Sequence, residues 1–221
     1  MDFDAIIFDF DGVLLESEYE GNRHLAELLT EIGHPTSVEQ ALKFYTGLSG
    51  RDFIAAIEAN IGRELPVAFH HRRGAEDERV LREGLPAIAG AVEFVRSLPT
   101  GLPVAVASSS TKDWVRTHLD HLGLSEIFKD CVFSGREDVA RGKPAPDLYL
   151  HAAEQLGVDI SRTVVLEDSE VGAKGALVSG ARVIGLVAGE HCLPGHADLL
   201  RDLGVHEIAC DFDDIRRLLN L

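Results

Sequence analysis

Two aspartates, Asp9 and Asp11, stand one residue apart at the end of the apolar run Ala5 to Phe8 and directly ahead of Gly12. Side chains two positions apart on a strand point the same way, so a strand continued through Asp11 predicts both carboxylates in one small volume at its carboxyl end. Like charges held that close favour a bound cation or one retained proton, and either serves chemistry on phosphate. An acidic turn after a strand is the competing reading, because Asp and Gly are ordinary turn residues. The assignment therefore depends on what other segments supply.

Three segments supply candidates. The apolar run Pro103 to Ala107 leads into Ser108, Ser109, Ser110 and Thr111, hydroxyls that with turn N–H groups could hold phosphate oxygens, or of which one caps a helix around Trp114 to Leu122. In Arg141-Gly142-Lys143-Pro144-Ala145-Pro146-Asp147 two prolines stiffen the backbone around Lys143. A cation fixed in a loop suits charge compensation at a phosphoryl group; a solvated loop lysine is the plainer alternative. The run Thr163 to Leu166 ends in Glu167 and Asp168, ahead of a helix opened by Ser169. This acidic pair could ligate a metal, and Asp168 or Ser169 could equally cap the helix.

The elements that must position these residues read as alternating strands and helices, the mark of an α/β fold with a doubly wound, Rossmann-like parallel sheet. Further apolar runs lie at Cys131 to Phe133 and Arg182 to Val187, with Glu207 to Ala209 a weaker last strand; a helix through Leu148, Ala152 and Leu156 stops at Gly157. About 90 residues separate the first run from the second, far more than a crossover needs. That gap is helical in pattern: Leu25, Leu28, Leu29 and Ile32 recur at helical spacing, Ser37 and Gln40 form a capping-box signature, Ile54, Ile57 and Ile61 mark a third helix that Ser49 could cap, and Pro66 to Glu83 reads as a fourth. The division is thus residues 1–16 and 87–221 as the α/β core, and 17–86 as an α-helical insert.

With 37 acidic against 21 basic residues, a formal charge of −16, the chain lacks the basic surface that nucleic-acid binding requires. No apolar run reaches membrane-spanning length, and the start MDFDAIIFDFDG lacks a basic n-region, which points to a cytoplasmic protein without a membrane partner. Cys131, Cys192 and Cys210 have neither disulfide-framework nor zinc-site spacing. His70 and His71 lie in a charged stretch of the insert, and the remaining histidines read as solvated or structural; the segment Ala188 to Gly195, with His191 and Cys192, reads as a loop at the sheet's edge whose spacing decides nothing.

The ordered set D-F-D-G-V, a strand ending in Ser, G-K-P-x-P-D and L-E-D-S-x-x-G resembles the haloacid dehalogenase superfamily across nearly the whole chain. The insert is similar to the small helical cap of the branch containing phosphoglycolate phosphatase-like enzymes and β-phosphoglucomutase. The resemblance implies a hydrolase that uses Mg²⁺ and an aspartyl-phosphate intermediate. Asp9 is then the nucleophile and Asp11 the acid and base; Ser108 and Ser109 bind phosphate; Lys143 compensates charge. The metal is held by Asp9, Asp168 and the backbone carbonyl of Asp11, with Glu167 acting through it or its waters.

Within that resemblance, a mutase carries a histidine where this chain has Glu20, and an arginine in the cap loop that here reads Gly47-Leu48-Ser49-Gly50-Arg51, where this chain has glycine and its arginine one residue later. Glu16 stands where aspartate is commoner. These departures favour a phosphatase acting on a small phosphorylated metabolite, a sugar phosphate or sugar-acid phosphate, with Lys43 and Arg51 as further cap contacts. The alternatives are a β-phosphoglucomutase-like mutase and, more remotely, a non-enzymatic phospho-acceptor resembling a response-regulator receiver. A monomer or small homo-oligomer is expected.

Overall fold

The computed structural model describes residues 2–46 and 50–221. Strand β1 (Ala5–Phe8) is followed by four helices, α1 (Ser17–Glu31), α2 (Val38–Tyr45), α3 (Gly50–Ile61) and α4 (Val67–Glu83). After α5 (Ala91–Arg96) come β2 (Val104–Ser108), α6 (Lys112–Leu122), α7 (Ser125–Phe128) and β3 (Val132–Ser134). The chain then runs through α8 (Asp147–Leu156), β4 (Thr163–Glu167), α9 (Glu170–Ser179), β5 (Arg182–Leu186), α10 (His196–Asp202), β6 (Glu207–Ala209) and α11 (Phe212–Leu219).

All six strands form one parallel sheet in the order β3-β2-β1-β4-β5-β6. The first two crossovers run to one side of β1, and the third carries the chain back to its other side. In such a sheet the ligand crevice opens at the carboxyl ends of the strands beside that reversal, here β1 and β4. A parallel sheet is covered on both faces, which is why β1 (AIIF) and β4 (TVVLE) are buried throughout and read as continuous runs rather than alternations. The period-2 rule still sorts their faces. Ile7 joins the core with Leu148, Tyr149 and Ala152 of α8, while Phe8 turns to the other side and meets Phe94 and Phe128 edge-on, at centroid distances of 6.2 and 5.7 Å.

Contacts divide the chain into two compact units, Met1–Glu16 with Pro86–Leu221, and Ser17–Leu85. Pro86, read from sequence as the last residue of the insert, groups with the sheet because its carbonyl accepts the Glu16 N–H at 2.9 Å. The helical unit has its own core, built on Leu25, Leu28, Leu29, Tyr45, Phe53, Ile57 and Phe69. Ser37 and Gln40 form the capping box reciprocally, at 3.2 and 2.9 Å. Ser49 lies outside the described residues. Among those described, no helix is long and apolar enough to cross a membrane, and Cys131, Cys192 and Cys210 are free thiols.

Phe8 anchors the strand that delivers Asp9, and the packed sheet leaves little room for collapse around a deleted ring. Phe8→Ala is expected to cost about 3–5 kcal/mol in urea unfolding; a loss below about 1 kcal/mol would contradict the packing described.

Candidate active site

β1 ends at Phe8, one residue before Asp9, and this changes the first expectation from sequence. Asp9 continues the sheet only through its backbone, donating its N–H to the Leu166 carbonyl at 2.9 Å. The chain then turns through Gly12, which has φ +85°. The same-side rule for strands therefore no longer applies at Asp11, and the two carboxylates take different partners.

Asp9 faces a buried charge cluster. The Lys143 ammonium donates to Asp9 Oδ1 at 2.6 Å and to Glu167 Oε1 at 2.5 Å, and its side chain is 3% exposed. Lys143 comes from the loop between β3 and α8, which Arg141 pins through paired contacts to Asp147 at 2.9 and 2.8 Å. The Tyr149 hydroxyl donates to Glu167 Oε1 at 2.6 Å, and Ser169 donates to Glu167 Oε2 from N–H and Oγ at 3.2 and 3.0 Å. Glu167 is thus engaged at both oxygens. Only glycine fits at position 172, because a Cβ there would lie 1.9 Å from Glu167 Oε1.

Asp168 follows at the end of β4. Carboxylate oxygens of Asp9, Glu167 and Asp168 lie within 4.8 Å of one another, and all three residues are buried. Asp168 Oδ1 is buried without a hydrogen-bond partner. An all-oxygen set with a free ligand atom fits a hard divalent cation such as Mg²⁺. Asp11 contributes no side-chain oxygen to this group.

The electrostatics follow from burial and from three carboxylates meeting one ammonium. Burial and the charges of Glu167 and Asp168 hold the Asp9 carboxyl well above the usual range, against the opposing pull of Lys143. Burial works to discharge Lys143, but Asp9 and Glu167 override it and keep the ammonium charged. The Tyr149 phenol is likewise pushed up by burial and by Glu167, so it remains a donor.

Asp11 is held elsewhere. Its Oδ2 accepts from Ser110 Oγ at 2.7 Å and, weakly, from Ser108 Oγ at 3.4 Å, while Oδ1 accepts from the indole N–H of Trp114 at 3.0 Å. Ser108, the last residue of β2, is fully buried and accepts the Ser110 N–H at 2.9 Å. Thr111, not Ser108, caps α6. Ser109 is exposed on the turn and makes no side-chain hydrogen bond among the described residues.

Sequence reasoning missed Tyr149, Trp114, His191 and His196. His191 is neither solvated nor peripheral: its ring is 3% exposed, with Nε2 at 2.8 Å from Asp168 Oδ2. Burial lowers its affinity for a proton, and the hydrogen bonds to Asp168 and Cys192, with the Glu16 carboxylate 3.6 Å away, more than reverse this, so that its pKa is pushed up to about 12. The available signals were thin. Trp114 is the chain's one tryptophan, just past the hydroxyl cluster, and His191 and His196 flank a Pro-Gly turn. The cap candidates belong to the helical unit: Glu20 pairs with Arg23 at 2.7 Å, Lys43 and Arg51 are exposed, and Gly47 lies outside the described residues. His70 and His71 are exposed.

Buried pairs are costly to break from one side, and the raised Asp9 value sets the sign of the pH effect. The protonated form of Asp9 favours the fold, a contribution complete below the usual carboxylate pKa of about 4 and lost as pH rises through the raised folded value. Removing the ammonium enlarges it. Lys143→Met is expected to lose about 3–5 kcal/mol in metal-free urea unfolding at neutral pH and less in mild acid; an equal loss at both would show that Asp9 is not the uncompensated group.

The family described as "Haloacid dehalogenase-like hydrolase" matches residues 6–186. The chain is 28% identical over 192 residues to the 6-phosphogluconate phosphatase of Escherichia coli, covering 86% of each chain. It is 33% identical to the phosphorylated carbohydrates phosphatase of Thermotoga maritima, over 83% of this chain and 85% of that one. Among solved structures, a haloacid dehalogenase family hydrolase of Deinococcus radiodurans with bound phosphate and sodium superposes with a TM-score of 0.85. It has 32% identity, and 99% of this chain and 95% of that chain are covered.

Proposed function

Since the chain belongs to the haloacid dehalogenase-like hydrolase family, we propose that it is a Mg²⁺-dependent phosphatase that hydrolyses a small phosphorylated metabolite, a sugar phosphate or sugar-acid phosphate, through an aspartyl-phosphate on Asp9. The observation that carries this reading is the convergence on Asp9 of a buried ammonium, Lys143, and two further strand-end carboxylates at the carboxyl ends of β1 and β4. The names of the Escherichia coli and Thermotoga maritima relatives support the substrate class.

Asp9, Asp168 and the backbone carbonyl of Asp11 would hold the ion, with Glu167 acting on it or its waters, in keeping with the engagement of both Glu167 oxygens by Lys143, Tyr149 and Ser169. When bound, the ion supplies positive charge that offsets the repulsion between phosphoryl oxygens and the attacking carboxylate. Asp9 attacks phosphorus, the bond to the leaving oxygen breaks with its electrons, and Asp11 gives that oxygen a proton. In the return step Asp11 takes a proton from water, whose oxygen attacks phosphorus and releases the Asp9 carboxylate. Lys143 stabilises charge on Asp9 and the transferring group. The Ser108 hydroxyl, which accepts the Ser110 N–H and donates only weakly to Asp11, has its proton for a phosphoryl oxygen, and Ser109 offers the adjoining turn. Glu20 in place of a histidine speaks against the mutase alternative.

The test is phosphate release from 6-phosphogluconate, hexose phosphates, phosphoglycolate and β-glucose 1-phosphate, with Mg²⁺ or EDTA, for the parent and Asp9→Asn. We expect release that EDTA abolishes and that Asp9→Asn lowers by at least about 10⁴-fold. No release from any compound, or release that persists in Asp9→Asn, would defeat the proposal. Conversion of β-glucose 1-phosphate to the 6-phosphate would establish the mutase instead.

A further inference from the structure

The loop after β5 runs Val187-Ala188-Gly189-Glu190-His191-Cys192-Leu193-Pro194-Gly195 into α10, and nothing in the catalytic assignment uses it. It touches the Asp168 residue at two separate points. His191 Nε2 lies 2.8 Å from the side-chain oxygen Oδ2, and His196, the first residue of α10, places Nε2 at 2.6 Å from the main-chain carbonyl of the same aspartate. The His191 ring is itself braced: Nδ1 faces Glu16 Oε1 at 3.6 Å, Cys192 Sγ lies 3.3 Å from Nε2, and Glu16 Oε2 accepts the Glu190 N–H at 3.1 Å.

Two glycines make room for this arrangement. A Cβ on Gly12 would lie 2.2 Å from Asp168 Oδ2 and 3.0 Å from His191 Cε1; one on Gly189 would lie 2.4 Å from His191 Cε1 and Nδ1. The backbone thus approaches the imidazole and the carboxylate from both sides. With Oδ2 taken by His191, the buried and unpartnered Oδ1 is the atom left for a cation.

We propose that His191 and His196 are positioning residues that clamp Asp168 by side chain and backbone, fixing the carboxylate so that Oδ1 is presented to the divalent ion. This deepens the Mg²⁺-phosphatase reading and rests on it. A carboxylate with both oxygens free would sample rotations about its last torsion, and ordering it would oppose metal binding; an outer hydrogen bond removes that cost before the ion arrives. His196 acts on the next link, holding the peptide between Asp168 and Ser169 where β4 turns into α9.

The clamp predicts a loss of metal affinity that does not require turnover. Mg²⁺ binding to the full chain is measured by calorimetry at one fixed pH for the parent, His191→Ala, His191→Gln and His196→Ala, with circular dichroism and metal-free thermal midpoints as folding controls. We expect His191→Ala to weaken Mg²⁺ binding by about 10–100-fold and His196→Ala to weaken it by less. His191→Gln, whose amide N–H replaces Nε2–H, should recover most of the loss. Should His191→Ala fail to fold, the Gln and His196 variants carry the comparison. Parental binding with folded His191→Ala and His196→Ala bound equally well, within twofold, would overturn the clamp alone. No Mg²⁺ binding by the parent would overturn the Mg²⁺ reading together with it.

Discussion

The buried ammonium of Lys143, bonded to Asp9 and Glu167 at 2.6 and 2.5 Å, is the interaction on which the rest of the site depends. It ties the ends of two neighbouring strands, β1 and β4, to the loop leaving β3, three segments far apart in sequence. Isolated charges could not remain in this environment, because desolvation would neutralise each of them. Lys143 makes two of the carboxylates tolerable together; it does not balance all three. The three carboxylates, with Asp168 Oδ1 left without a hydrogen-bond partner, form an oxygen set of the kind that the proposed divalent cation would take.

The sheet supplies this concentration of charge at small cost to the fold. Its interior is carried by apolar residues of β1, β2 and β4, buried on both faces, so the polar residues are confined to the strand ends and the loops beyond them. Close approach is then a matter of leaving out side chains. Gly12 and Gly172 occupy positions where a Cβ would collide with Asp168 and Glu167 respectively. These glycines act as spacers for the carboxylates as much as turn formers.

Asp9 and Asp11, two residues apart in sequence, have different surroundings. Asp9 lies among charges that compete for its proton, while Asp11 is fixed by neutral donors, Ser110 and Trp114. The proposed roles of nucleophile and acid–base partner call for such unlike surroundings. The indole and the hydroxyl orient the Asp11 carboxylate, while the ammonium is bonded to Asp9 and Glu167.

The sequence by itself determined the residue types of the candidate site, their order, and most of the elements that carry them. Continuous apolar runs marked β1 and β4 because a buried parallel strand has no polar face. Ser37 with Gln40, and the stop at Gly157, were legible because caps involve residues three or four apart. The tertiary structure decided the rest. It gave Asp9 and Asp11 different partners by ending β1 at Phe8, and it brought in Trp114, Tyr149, His191 and His196, which carry little or no local signal. Lys143 reaches Asp9 across 134 residues, Trp114 reaches Asp11 across 103, and His191 reaches Asp168 across 23. Periodicity and capping rules describe neighbours along the chain; contacts at these separations are set by strand order and by the path of each loop, which local sequence does not encode.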